Sequence, residues 1–236
     1  MQEFLYGTSM VILYIIPLAS VMFIFRKILK IPDELFRKIL HFILLGVYIV
    51  FLFAFETWWI SVTLAAVLMI IIYPILMLAG KIPHFSTFVN ERKKGEFKNS
   101  MVLAFGMIIV SICVCWGWIG DKYLVLASVY AWGVGDAFAA LIGKRFGKHK
   151  IKWKFADSHK SIEGSLAMFL TSAFAVCIVL LIRGGLDIVS CLIISVVVSI
   201  VCTLVELCTK SGLDTITCPT VAMFIMIPLV KILGGC

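Results

Sequence analysis

Apolar residues occupy this chain in long blocks, separated by short polar connections that are mostly basic. Each block approaches the roughly 20 residues that an α-helix needs to cross a hydrocarbon core. The pattern predicts helices over Phe4–Phe25, Ile39–Phe55, Trp58–Leu78, Met101–Ile119, Tyr123–Ile142, Ile162–Ile182, Ile188–Leu207 and Pro219–Leu233. The last block is short and reads as a complete span or as a re-entrant or broken piece. Before it, SGLDTITCP places Gly212, Asp214, Thr215, Thr217 and Pro219 in a break between spans, which at membrane depth requires burial in protein or a wet cavity. The blocks leave no room for a soluble domain. The expected architecture is therefore all-α, a polytopic integral membrane bundle of about seven or eight helices, with residues 1–236 forming one integral domain.

Composition agrees. A chain with 62% hydrophobic and 14% charged residues cannot solvate its own surface as a globule in water. The first block runs into Arg26 and Lys27 without a small-residue cleavage site, so it is expected to be an uncleaved helix. The cysteines, among them Cys113, Cys115, Cys177, Cys191 and Cys202, include no CxxC pair and read as small buried apolar residues.

The basic residues fall on alternate connections. Arg26, Lys27, Lys30, Arg37 and Lys38 are in the first, and Lys81, Arg92, Lys93, Lys94 and Lys98 in the third. Lys144, Arg145, Lys148, Lys150, Lys152, Lys154 and Lys160 are in the fifth, and Lys210 is in the seventh. Lys122, Arg183 and Lys231 remain for the other face. The positive-inside rule then puts the basic loops in the cytoplasm and both termini outside. The net charge of +8 is thus one-sided, which suits both topology and anionic lipid heads. Basic loops interrupted by glycines and acids also suit a polyphosphate. Nucleic acid is not an expected partner, because no aromatic-studded basic surface accompanies the charge.

The chemistry is sought among polar residues that a membrane helix would ordinarily exclude. Asp136 lies in WGVGDAFAALIGKRFG, roughly 10 Å along the helix from Gly143 at the basic loop, and an ionised carboxylate there is costly. Ala140, Gly143 and Gly147 follow it at offsets of four, seven and eleven, a stripe of small residues that reads as a groove. Two accounts of Asp136 stay open: close helix packing with the acid paired to a buried lysine, or a magnesium ligand or general base. The loop after it ends in Lys160, Ser161, Ile162, Glu163, Gly164 and Ser165. Ser161 suits an N-cap and Glu163 the helix dipole. Lys160 beside that cap, with Gly164 and Ser165 just inside the helix, makes a candidate phosphate site. Further upstream, Arg37, Lys38 and His41 have the spacing to share a helical face. Glu91, Arg92, Lys93, Lys94, Gly95 and Glu96 form a mixed-sign cluster that reads as solvated loop or as function. Glu206 is a second intramembrane acid, with Lys210 four residues on as a possible partner. Asp136, Glu206 and Asp214, together with Lys160 and Glu163, are the residue types that bind magnesium and a nucleoside triphosphate.

GDAFAALIGKRFGK, then KSIEGS, then the intramembrane Glu206 and GLDTITCP, all preceded by RKILH, resemble the polyprenol kinase family of phytol kinases, dolichol kinases and CTP-dependent diacylglycerol kinases. The likeness runs from about Arg37 to Pro219. The family is similar in turn to phosphatidate cytidylyltransferases. The resemblance implies a membrane kinase that uses Mg2+ to move the terminal phosphate of CTP to a lipid alcohol, a prenol, polyprenol or diacylglycerol. It maps the family's functional positions onto Arg37, Lys38, Asp136, Gly143, Lys160, Glu163 and Asp214. Where the family commonly has Asp-Asn, this chain has Asp214 followed by Thr215. The choice of CTP rests on the resemblance, since no Walker or protein-kinase motif is present.

On this reading Lys160, Lys144, Lys148 and the segment from Gly143 to Gly147, with Ser161, Gly164 and Ser165, hold phosphates. Magnesium bridges them to Asp136 and to Asp214 or Glu206. Asp136 or Glu206 orients the lipid hydroxyl, and Arg37, Lys38 and His41 steady the transferring group. The alternatives are cytidylyltransferase-like synthesis of a CDP-lipid, or transport of an anionic solute. Transport is disfavoured because the polar clusters crowd one side and no inverted repeat is visible.

Overall fold

The computed structural model describes residues 2–29, 31–82, 85, 89, 91, 95–151, 160–209 and 212–234. Eight helical spans among them are long and apolar enough to cross a membrane: α1 Gln2–Leu29, α2 Asp33–Phe53, α3 Trp58–Ala79, α4 Glu96–Ser111 with its continuation to Trp118, α5 Lys122–Phe146, α6 Ile162–Arg183, α7 Ile188–Cys208 and α8 Asp214–Ile232. Among the described residues no strand forms, and the one extended pairing is an isolated bridge between Lys150 and Ser161. The protein is all-α and multi-pass. Pro17, Pro74, Pro219 and Pro228 lie inside helices, as a membrane setting tolerates.

Three boundaries differ from the hydropathy reading. The second helix begins at Asp33, so Arg37 and Lys38 lie in its second turn and His41 in its third, not at its mouth. The fourth span changes pitch, since α4 passes into a π-helical stretch, Ile112–Trp118. The last span is a full helix: Asp214, Thr215, Thr217 and Pro219 belong to α8, and the break before it is correspondingly narrower. Proline at its sixth position removes one backbone donor but leaves the first turn intact, which hydropathy alone does not register. Cys115, Cys191, Cys202 and Cys218 are buried, Cys113 and Cys177 are partly so, and Cys208 is exposed.

Where the sequence reads as one integral domain, the chain separates into two compact units, Met1–Gly117 and Trp118–Cys236. In the first, α2 packs on α1 and α4 on α3, with further contact between α1 and α3. The Glu3 carboxylate accepts from the backbone N–H groups of Glu56 and Thr57, both at 2.9 Å, at the start of α3. The Ser61 hydroxyl donates to the Phe51 carbonyl at 2.7 Å. Arg26 pairs with Asp33 at 3.0 Å and lies over the Phe36 ring. Lys38 is buried, and Arg37 meets Glu34 at 3.4 Å. Glu91 accepts from the N–H groups of Gly95 and Phe97 at 3.0 and 3.1 Å, so it satisfies donors at the start of α4. Its neighbours Arg92, Lys93 and Lys94 lie outside the described residues.

The second unit is a ring of four helices in which α5 packs on α6, α6 on α7, α7 on α8 and α8 back on α5. The α5 helix is the most enclosed, with 56% of its most apolar window buried, against 11% for α1 and for α3. Local chemistry sets its ends. Asp121 caps α5, accepting from the N–H groups of Tyr123 and Leu124, and also pairs with Arg183 at the end of α6. Gly184 and Gly185, both at positive φ, turn the chain into α7. Asp187 caps that helix, and the hydroxyl of Ser190 foremost, with the Ser190 and Val189 N–H groups, holds its carboxyl below the ordinary carboxylate range.

The closest approach in this unit is between α5 and α6. A Cβ on Gly164 would lie 2.9 Å from the Ala139 carbonyl oxygen and 3.3 Å from the Gly143 Cα, and one on Gly135 would strike the Ser172 hydroxyl at 2.2 Å. Backbone cannot yield as a flexible side chain would. Gly164→Ala is therefore expected to destabilise the protein by about 1–3 kcal/mol, seen as a lower unfolding temperature in detergent, with Gly106→Ala, where a Cβ meets nothing within 4 Å, as the neutral control.

Candidate functional site

The antiparallel order of the second unit brings the C-terminal ends of α5 and α7 together with the N-terminal ends of α6 and α8. At that end Lys160, the residue before the α6 cap, places Nζ 2.9 Å from Glu206 Oε1 of α7. The same ammonium donates to the Glu206 carbonyl and, at 3.4 Å, to the Thr209 carbonyl. It thereby closes the C-terminal end of α7, where backbone acceptors lack helical partners. Both side chains are largely enclosed, 18% exposed for Lys160 and 12% for Glu206. The partner of Glu206 is therefore Lys160, 46 residues away in sequence. Lys210, the neighbour suggested by spacing, lies outside the described residues.

Two further acids, Asp136 on α5 and Asp214 on α8, lie within electrostatic reach of Glu206. Asp214 accepts from the Gly212 N–H at 2.8 Å through Oδ1 and from the Trp132 indole N–H at 3.3 Å through Oδ2. Trp132 is buried and lies one helical turn before Asp136 on the same helix, so its N–H ties the helix carrying one acid to the helix carrying another. The sequence reading passes over Trp132. Its signal was the spacing of four from Asp136, and that a buried indole N–H requires an acceptor.

The phosphate-site residues are placed differently from a simple open helix terminus. Ser161 caps α6 as expected, its hydroxyl accepting from the Gly164 N–H at 3.2 Å. The Ile162 N–H donates to the His149 carbonyl at 3.0 Å, and the Ile151 N–H to the Lys160 carbonyl at 3.1 Å. These two bonds join the ends of the α5–α6 loop in a neck, beyond which residues 152–159 lie outside the described set. Glu163 belongs to the neck too: its Oε1 is 2.7 Å from His149 Nδ1, and its carboxylate accepts the His149 backbone N–H at 3.2 Å. The Ser165 hydroxyl donates to the Ser161 carbonyl at 3.1 Å. The N–H groups of Ile162, Gly164 and Ser165 at the start of α6 thus have protein partners. The stripe below Asp136 is likewise a helix contact and not an open groove, because Gly143 faces Gly164 and Gly147 lies against Ser161. Lys144 and Lys148 are exposed at the end of α5 and just beyond it. Arg37, Lys38 and His41 belong to the first unit.

Among the described residues no three His, Cys, Asp or Glu side chains form a ready-made metal cluster. The donor set is nonetheless of the kind magnesium takes: hard carboxylate oxygens from one or two acids, with the remaining positions left to water and substrate phosphate. Asp214 accepts a hydrogen bond through each of its carboxylate oxygens.

No family model and no solved structure matches the chain. Among curated proteins it is 51% identical over 49 residues to the dolichol kinase of Saccharomyces cerevisiae, covering 21% of this chain and 8% of that protein. It is 46% identical over 61 residues to a dolichol kinase of Schizosaccharomyces pombe, covering 22% and 11%. Against the phytol kinase of Synechocystis it is 26% identical over 190 residues, 80% of this chain and 76% of the relative. The chain thus spans only a small part of the dolichol kinases and about three quarters of the phytol kinase. The chain is thus similar to dolichol kinases at high identity over a short segment, and to a phytol kinase at lower identity over most of its length.

Proposed function

We propose that this protein is a membrane lipid kinase that moves the terminal phosphate of a nucleoside triphosphate, CTP by resemblance, to the hydroxyl of a lipid alcohol of the prenol or polyprenol class. The observation that carries the reading is the meeting of Asp136, Lys160, Glu206 and Asp214 at one end of a four-helix ring. The kinase names of the relatives favour phosphate transfer over nucleotidyl transfer or transport.

Phosphate transfer asks the protein chiefly to position two substrates and to neutralise charge. In this proposal Lys160 and Lys144, with Lys148 and the backbone from Gly143 to Gly147, receive the phosphates. Asp136 and Asp214 hold magnesium, which when bound shields the phosphate oxygens. Ser161, Gly164, Ser165 and Glu163 keep the start of α6 and the loop neck in place, so that Lys160 is presented to the cluster. The lipid enters from the bilayer with its hydroxyl at the acidic end of the ring, on the cytoplasmic side if the basic loops obey the positive-inside rule. The contribution of Arg37, Lys38 and His41 rests on sequence resemblance.

Purified protein in lipid with magnesium, given γ-labelled CTP or ATP and a panel of phytol, polyprenols and diacylglycerol, is expected to yield a labelled lipid phosphate. A CMP-lipid with pyrophosphate would overturn the proposal. Asp136→Asn is expected to lower kcat by about 100-fold or more while the protein remains monodisperse. Trp132→Phe keeps the bulk and loses the N–H to Asp214; it is expected to raise the magnesium concentration needed for half-maximal activity several-fold, with the unfolding temperature little changed.

A further inference from the structure

The Lys160 ammonium has three donors, and three acceptors stand around it: the Glu206 carboxylate at 2.9 Å, the Glu206 carbonyl, and the Thr209 carbonyl at 3.4 Å. A lysine so engaged has no donor left for a phosphate. The Glu206 carboxylate is correspondingly covered, although it lies among Asp136 and Asp214, where an acid would be useful. In this arrangement the residue expected to receive phosphate and a residue expected to act on the hydroxyl neutralise each other.

We propose that Lys160 is a latch shared between Glu206 and the donor phosphates: a triphosphate draws the ammonium off α7, and its departure uncovers Glu206. This rests on the kinase reading for its substrates. The exchange is favourable in direction, because a triphosphate offers several charged oxygens and a single carboxylate offers one charge. Once uncovered, Glu206 accepts the proton of the lipid hydroxyl. The alcohol oxygen bonds to the terminal phosphorus, the bond from that phosphorus to its bridging oxygen breaks, and the nucleoside diphosphate leaves with that electron pair. The consequence is an order of events: the base is available only when the donor is in place.

The latch makes a prediction opposite in sign to that of a simple binding residue, namely that removing Glu206's charge strengthens donor binding. Binding of CTP and of inorganic triphosphate is measured on the full chain in nanodiscs without divalent metal. Glu206→Gln, which keeps the shape of the side chain, is expected to bind both probes about tenfold more tightly, a difference of about 1.4 kcal/mol. Asp136→Asn removes an equal charge from the same cluster without releasing Lys160, and is expected to tighten binding by less than about threefold. Adding Lys160→Met to Glu206→Gln, where no buried carboxylate is left uncompensated, should abolish the gain. Equal effects of the two carboxamide variants would reduce the result to bulk charge and overturn the latch. So would unchanged or weaker binding by Glu206→Gln, a gain that survives loss of Lys160, or no triphosphate binding by any of the proteins. The kinase reading is tested separately by lipid phosphate formation in the wild type, so a tightened Glu206→Gln protein from a chain that phosphorylates no alcohol would uphold the latch and sink the kinase.

Discussion

The arrangement of the second unit depends on how closely α5 and α6 approach. Gly143 and Gly164 bring the two backbones so near that neither position has space for a side chain without displacement. In a bilayer, where apolar side chains gain little by leaving lipid for protein, such small-residue contacts are a main source of helix association. Here the contact lies at the very start of α6. It fixes the Ser161 cap against Gly147, and through the cap it fixes the preceding residue, Lys160, at the edge of the ring. A bulkier contact would move that lysine outward, and α7 would lose the cation that closes its end.

A second constraint is the cost of charge in a low-dielectric surrounding. The ring meets it by keeping formal charges at its two ends and pairing them across helices: Arg183 with Asp121 at one end, Lys160 with Glu206 at the other. Along the interior Ser195, Ser199 and Thr203 in succession on α7 return a hydrogen bond to their own helix, and the Ser172 hydroxyl of α6 donates to the Ala131 carbonyl of α5. The two ends are not equivalent. Asp121 serves one cation and one helix terminus, whereas at the opposite end Glu206 is paired with Lys160 and also lies within electrostatic reach of Asp136 and Asp214. That surplus of acid is the ground on which the proposed function assigns chemistry to the second end.

Much of this was legible in the sequence. Hydropathy located all eight helices because spanning length and apolarity are one-dimensional properties. The cap at Ser161 was legible because capping is local. Asp136, Glu206 and Asp214 were conspicuous as acids in apolar surroundings. What spacing could not supply was pairing. Helical offsets look only along Glu206's own helix, whereas Lys160, which reaches it, immediately precedes the cap of α6 and is brought there by the glycine contact between α5 and α6. The Trp132 contact with Asp214 was hidden for the same reason, since 82 residues separate the partners. Glu163 read equally well as a helix-dipole acid and as a catalytic one. Its bonds to His149 follow from the course of the loop, which no periodicity describes.

The loop neck bears on how Lys160 is held. Two backbone hydrogen bonds and the Glu163–His149 contact close the chain on itself between α5 and α6. Lys160 is thereby tethered on both sides, by its own carbonyl bonded to the Ile151 N–H and by the capped helix that follows it, so its long side chain swings from a backbone anchored to α5 as well as to α6.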